Sequence, residues 1–577
     1  MSADGENEFF CDGITEEIIN ALAKIQQLKV ISRTSSFYFK NHKAPISEIG
    51  EQLNVSVILE GSVRIHGNIL RITAQLINVE DDSHFWSETW DRKTENIFAI
   101  QDEISLLIAD KLREHVGHLD ISDHLVEPHT QNPSAYEHYL KGYFHFYKWN
   151  PEDTNIAIEE FEMALALDDK LVDAYVGLAD SYSFMAVAGF APREEAWMKA
   201  VHSMNIARKL DPDHAGLNYM LGNQAFFTEA NYTGAMQYAQ RALTSKPTHP
   251  DSQRFMSFLC ALRGDMKKSY EHILFVKSID PLNQETRFFE AYYYYKAGNF
   301  AKASAMIQDL LRENPKNLPA LIVNIYILII NQQYAEAKAI VEGLKEGMTP
   351  DEKLGLICLI EVSNGTPNDE LIEKLEQSAE APSAHHAHSY LFLVYVVLGR
   401  FDDAFKILDK LFEVKSSVLL LSFSDPMAAR LQTDKRYADY HKRIYPVKEA
   451  DDKQSTSNTT LLNAEKAAEF LAKLNDFIHS EKPYLNPSLS LRLLADQIEI
   501  HPNQLSWLLN EHIGKNFNEY INLLRIDHFK ELVIDPSNAH ISLIGLAYES
   551  GFNSKTVFNT AFKKAVGMTP KEYQKSH

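Results

Sequence analysis

Along residues 9–116, apolar positions change their period several times, and each change marks a new element. Residues 15–25 (TEEIINALAKI) space their apolar side chains as one face of a helix, and residues 46–53 do the same. The short apolar run 28–32 (LKVIS) suits a strand. Residues 56–65 and 68–78 read as paired strands joined around His66-Gly67-Asn68, and residues 97–115 as a closing helix. The pattern predicts an α/β domain over residues 1–118.

From 133 to 446 the pattern becomes almost wholly helical, and it repeats. Pro212, Pro247, Pro281 and Pro315 stand 35, 34 and 34 residues apart (247−212, 281−247, 315−281). A 34-residue period with a helix-stopping proline is the mark of tetratricopeptide repeats. Small residues stand where paired helices must approach closely, as Ala174, Gly177 and Ala179, then Gly298 and Ala303, then Gly399 and Ala404. Seven or eight such units would stack into a superhelix with a concave face. Residues 447–460 are polar, without large apolar side chains, and are expected to form a flexible linker.

Between 461 and 577 the period shortens to compact helix pairs. Residues 491–498, a turn at 499–501 and residues 502–511 form one helix-turn-helix pattern. Residues 541–550, a turn at Gly551-Phe552 and residues 554–566 form another, with the long helix 518–533 between them. Leu505, Leu508 and Leu509 fall inward in the first, and Val557, Phe558, Ala561 and Phe562 in the second. That leaves Asn503, Gln504, Ser506, Trp507 and Asn510 expected to face outward, and Lys555, Thr556, Asn559 and Thr560 likewise. Asn and Gln can pair both their amide atoms with adenine in the major groove, so these are the candidate base contacts. Lys515, Ser554, Lys563 and Lys564 are the candidate phosphate contacts, which position without reading sequence. The bland alternative for each is ordinary solvated helix surface, and Trp507 could instead cover an apolar edge.

The fold class expected is therefore multidomain and mainly α: an N-terminal α/β domain, a central α-solenoid and a C-terminal all-α double helix-turn-helix domain. Two resemblances sharpen it. The strings FCDGITEEIINA (10–21), VISRTSS (30–36), VILEGSV (57–63), RITAQLI (71–77), HFWSETWD (84–91) and IQDEI (100–104) resemble the TolB N-terminal-like module. Members usually begin with a further strand, so the resemblance implies a sheet missing its first strand here. The strings LADQIEI (494–500), GKNFNEY (514–520), GFNSKTVFNTAFKK (551–564) and GMTP (567–570) with Tyr573 resemble the AraC family. That likeness implies two recognition helices in successive major grooves and, in many members, a homodimer. Neither helix carries the Arg most often used to read guanine.

Charge and chemistry then limit the picture. The net charge of −22 opposes nucleic acid, but residues 483–577 hold nine Lys plus Arg against nine Asp plus Glu. The deficit lies upstream, so affinity for double-stranded DNA must come from local placement of charge. Three scattered cysteines fit a reducing compartment, and the longest apolar run, 320–330, is too short for a membrane span. A cytoplasmic protein with no membrane partner is expected, with a protein partner on the concave face of the repeats. His385, His386 and His388 lack a matching distant set and are read as a loop or helix start rather than a metal site; Tyr292–Tyr295 reads as repeat core. No catalytic constellation or cofactor motif is read, and no enzyme activity is expected. The rival reading is a repeat scaffold whose C-terminal segment only docks.

Overall fold

The computed structural model describes residues 8–40, 42, 44–66, 69–93, 97–188, 190–344, 348–446 and 461–577. The expected linker 447–460 and the hairpin turn at 67–68 lie outside the described residues.

In the first domain, helices α1 (Glu8–Ala23), α2 (Arg33–Phe37) and α3 (Ile46–Leu53) precede strands β1 (Val57–His66), β2 (Ile69–Asn78) and β3 (Ser83–Lys93), and α4 (Ile97–Val116) follows. The sheet is an antiparallel meander, β1-β2-β3, with Val57 opposite Asn78 and a register shift between Leu76 and Ile77 on the β3 side. Along β2 the pleat sends Leu70, Ile72, Ala74 and Leu76 into the core with Ile14, Ile18, Ile104 and Ile108 of α1 and α4. The opposite face is polar: Arg71 meets Asp91 at 2.7 Å and Thr73 meets Thr89 at 3.0 Å. The run 28–32, expected as a strand, is not one. Its end is claimed elsewhere, since Ser32 donates its backbone N–H to the Ile279 carbonyl of the repeat region at 2.7 Å.

The central region is a solenoid of helix pairs of the tetratricopeptide type, as the proline period predicts. Eight successive helix pairs run, among the described residues, from Pro133–Phe146 with Pro151–Leu167 to His385–Leu398 with Phe401–Val414. Pro212, Pro247, Pro281 and Pro315 all fall in the loops that end one pair and open the next. Their missing N–H costs nothing there. Asn231, Asp265, Asn283, Asn299 and Asn317 cap the helices that follow by accepting backbone N–H groups. Gly142 and Gly177 are small because the Phe161 ring lies between their helices: a Cβ at either would sit 2.5 or 2.4 Å from it. Tyr295 is core, as expected, with its hydroxyl donated to Asp425 at 2.7 Å. His385 and His386 open a helix, and His388 is buried with Nε2 2.7 Å from the Ala379 carbonyl oxygen.

The first domain is not a free appendage. Its core continues into Tyr136 and Leu140 of the first repeat helix. α1 and α2 then run along the edge of the solenoid where the repeat helices begin. Lys246 donates to Asn20 at 2.9 Å, His129 bridges Glu17 (3.3 Å) and Asp173 (2.9 Å), and Ser35 donates to Asp280 at 2.7 Å. Burial opposes a charge on His129, but hydrogen bonds to Asp173 and Glu17 outweigh it and raise its pKa to about 11.

Candidate DNA interface

The C-terminal domain is two small helical units joined by one long helix. The first motif places Leu491–Gln497 before Pro502–Leu508; the second places Leu543–Glu549 before Lys555–Val566. Phe517–Ile534 links them, and Ala464–Glu481 and Pro570–Ser576 close the two ends. In such motifs the second helix is the recognition helix, whose N-terminal residues approach base edges. Each unit has its own core. Leu494, Leu505, Leu508, Leu509 and Ile521 build one; Ile526, Phe529, Phe558 and Phe562 build the other.

Local rules explain the helix ends. Ser490, Ser542 and Ser554 accept N–H groups from the first turns of the helices they precede. Asn516 with Glu519 and Thr569 with Glu572 form reciprocal capping boxes. Pro502 stands at the start of its helix, where no donor is needed.

The two units meet closely at the turn of the second motif. Gly551 adopts φ +91°, and a Cβ there would lie 2.2 Å from the Tyr484 carbonyl oxygen. Arg525 of the linking helix donates Nε to the same Tyr484 oxygen at 2.7 Å and Nη2 to the Asn486 oxygen at 2.9 Å. Burial lowers the Arg525 pKa to about 10. The turn of the second motif is thus held against backbone belonging to the first unit.

The second recognition helix presents what the sequence suggests. Phe558 and Phe562 are buried, while Lys555, Thr556, Asn559, Thr560, Lys563 and Lys564 are exposed. Lys564 reaches Glu519 at 3.1 Å, and Ser554 is engaged as the N-cap. Val557, expected inside, is 37% exposed.

The first recognition helix departs from expectation. Asn503 and Ser506, read as outward-facing, are buried at 8% and 1% exposure. For Asn503 the cause is α4 and the segment after it. Asn503 Oδ1 accepts from Arg113 Nη1 at 2.6 Å and from the Ile121 N–H at 3.3 Å. Its Nδ2 donates to Asp120 at 2.6 Å and to the Ile121 carbonyl at 3.1 Å. Ser506 Oγ is buried without a hydrogen-bond partner. The remaining members of the set are half-buried and occupied locally. Gln504 accepts the His501 N–H, and Asn510 donates to the Ser506 carbonyl. Trp507 packs at the edge of the first core, 5.3 Å from the His512 ring, and Lys515 is half-buried. The contact continues beyond the helix: Arg492 meets Asp110 at 2.9 Å, the Leu491 N–H is donated to Glu114 at 2.8 Å, and Asn516 donates to the His115 carbonyl at 2.9 Å. Burial pushes the Glu114 carboxyl above its ordinary range, although Lys111 beside it pulls the other way.

Two helix-turn-helix units on one linking helix define a double helix-turn-helix domain. A family model described as a helix-turn-helix domain matches residues 494–576, and this segment is a helix-turn-helix domain of the AraC type. The transcriptional regulatory protein YesN of Bacillus subtilis (strain 168), itself described as uncharacterized, is 32% identical over 93 residues, 16% of this chain and 24% of that protein. The melibiose operon regulatory protein of Escherichia coli (strain K12) is 27% identical over 88 residues, 15% of this chain and 28% of that protein. A third relative, named "Putative adenylate cyclase 3" of Rhizobium meliloti (strain 1021), is 46% identical over 113 residues, 20% of this chain and 19% of that protein. The chain spans less than a third of the length of each of these relatives. Among solved structures, a tetratricopeptide repeat protein from Parabacteroides merdae covers 43% of this chain and 93% of its own at 14% identity and a TM-score of 0.30.

Proposed function

We propose that the chain is a sequence-specific transcription regulator of the bacterial cytoplasm that binds double-stranded DNA through its C-terminal domain. One observation carries this reading: the exposed face of the second recognition helix, where Lys555, Thr556, Asn559 and Thr560 stand together on a helix fixed by Phe558 and Phe562. Asn559 and the threonines have the donors and acceptors to read base edges, and Lys563 and Lys564 follow where phosphate lies. Asn503, Gln504, Ser506, Trp507 and Asn510 are the corresponding positions of the first motif, with Lys515 and Ser554 as further phosphate contacts. The α/β domain and the repeats serve as signal- and partner-sensing modules, the partner being a protein held on the concave face of the solenoid. No catalytic step is assigned, since the cyclase relative shares only a fifth of this chain. Purified protein turning over a nucleoside triphosphate would reverse that.

The test is enrichment of random-sequence duplexes by the full chain, repeated with Asn559→Ala. A motif that loses definition at one or two positions in the variant supports the reading; absence of any enriched motif contradicts it. Because residues 483–577 have nine cations against nine anions, binding is expected to be weak for a monomer and tighter for a homodimer. A concentration-independent nanomolar complex on one half-site would contradict the dimer.

The burial of Asn503 and Ser506 favours a second reading, a repeat scaffold whose C-terminal domain only docks. Unaltered transcription after loss of residues 461–577, with partner complexes intact, would decide for it.

A further inference from the structure

We propose that the α/β domain holds the first recognition helix in an autoinhibited state by imitating the DNA it would read. This rests on the regulator reading above and adds how that same site is controlled.

The contact at Asn503 has the form of base recognition. An Asn reads adenine by donating Nδ2–H to one acceptor and receiving one N–H on Oδ1. The peptide groups of Ile121 supply the same pair, an N–H to Oδ1 at 3.3 Å and a carbonyl to Nδ2 at 3.1 Å. Arg113 and Asp120 fill the remaining acceptor and donor of the amide, so all four of its hydrogen-bonding places are taken. Around this pair α4 and the segment that follows the α/β domain set a row of carboxylates against the motif. Asp110 faces Arg492, Glu114 accepts from Leu491, Asp120 accepts from Asn503, and Asp123 lies 3.7 Å from His501. Negative charge around a peptide edge is a small copy of a groove with its phosphates. The approach is tight, since a Cβ on Gly117 would stand 2.9 Å from Asn510 Oδ1.

The second recognition helix is free of this contact, its outer residues being exposed. One motif is masked and the other open. In this state the chain can place one helix in one groove. Gaining the second requires residues 110–123 to leave, and the apparent affinity falls by the fraction of molecules in which they have not. The masking domain is itself pinned to the solenoid edge through Glu17, Asn20 and Ser35. A ligand of the repeats is therefore well placed to shift it.

The test compares the full chain with Asp110→Ala/Asp120→Ala, which removes two acceptors on the masking side and leaves the helix-turn-helix domain unaltered. Each is titrated with the duplex most enriched from a random pool, and the bound duplex is footprinted. The variant is expected to bind at least tenfold tighter, and its footprint to extend from one major groove to two, about ten base pairs apart. A second measurement needs no substitution: saturating the wild-type chain with that duplex should accelerate amide exchange at Ile121. Equal affinities, a two-groove footprint for both proteins and unchanged exchange at residues 117–123 would overturn the masking while leaving DNA reading intact. Failure of both proteins to enrich any sequence would remove the regulator reading and the masking together.

Discussion

Replacing Gly551 with alanine should damage the DNA-binding domain far more than the same change at Gly514. Both glycines have positive φ, +91° and +70°, so both substitutions carry the left-handed backbone cost of about 1 kcal/mol. Only Gly551 has a neighbour in the way. Its new Cβ would meet the Tyr484 oxygen at 2.2 Å and the Leu485 Cα at 2.9 Å, whereas nothing lies within 4 Å of a Cβ on Gly514. Those obstacles are backbone, and the Tyr484 oxygen is also tied to Arg525. Overpacking against atoms that cannot step aside adds about 2 kcal/mol. The expected totals are about 3 kcal/mol for Gly551→Ala and about 1 kcal/mol for Gly514→Ala. The difference is roughly 30-fold in the local opening constant. Amide exchange of the slowest residues in the linking helix 517–534 reads it within the full chain, where a single global unfolding energy would be ill defined. Costs equal to within about 0.5 kcal/mol, the usual scatter of surface substitutions, would refute the claim that this close approach sets the relation of the two motifs.

Other outcomes follow from the same contacts. Arg525→Met leaves the Tyr484 and Asn486 carbonyls without their donor and should cost about 2–3 kcal/mol of domain stability, read by the same exchange measurement. Lys563→Ala should weaken DNA binding evenly across sequences and lower the log–log salt slope by about 1, whereas Asn559→Ala should relax one base preference and leave the slope unchanged. His129→Gln should destabilise the seam between α1 and the repeats by about 2 kcal/mol at pH 6. The folded pKa of about 11 lies above the ordinary histidine value. The stabilisation is therefore fully present below pH 6.5 and is lost as pH rises toward 11. Thermal unfolding of the two proteins at pH 6 and pH 9 should show the gap narrowing at the higher pH; a gap that widens would contradict the assignment.

Much of this architecture was readable where one residue type has one local job. The prolines at 34-residue spacing fell in the loops, Leu505, Leu508 and Leu509 packed inward, and Gly177 proved to be where Phe161 needs room. Legibility failed where a distant segment decides. The run 28–32 has strand composition, but its last N–H goes to Ile279, some 250 residues on. β3 escaped notice because its burial does not alternate: Trp90 is buried while most of the strand is open. Asn503 and Ser506 have the outward phase of their helix. What covers Asn503 is residues 113–121, nearly four hundred positions earlier, and no local pattern encodes that. Conversely, Asn559 and Thr556 were legible because, among the described residues, no distant segment covers their face.

The most direct measurement is genome-wide mapping of the sites occupied by the intact chain in its own cell, beside a chain carrying Thr556→Ala and Asn559→Ala. The account predicts discrete promoter sites sharing a motif for the first protein, and loss of that motif for the second. Occupancy that is scattered without a shared sequence, or identical for the two proteins, would contradict it.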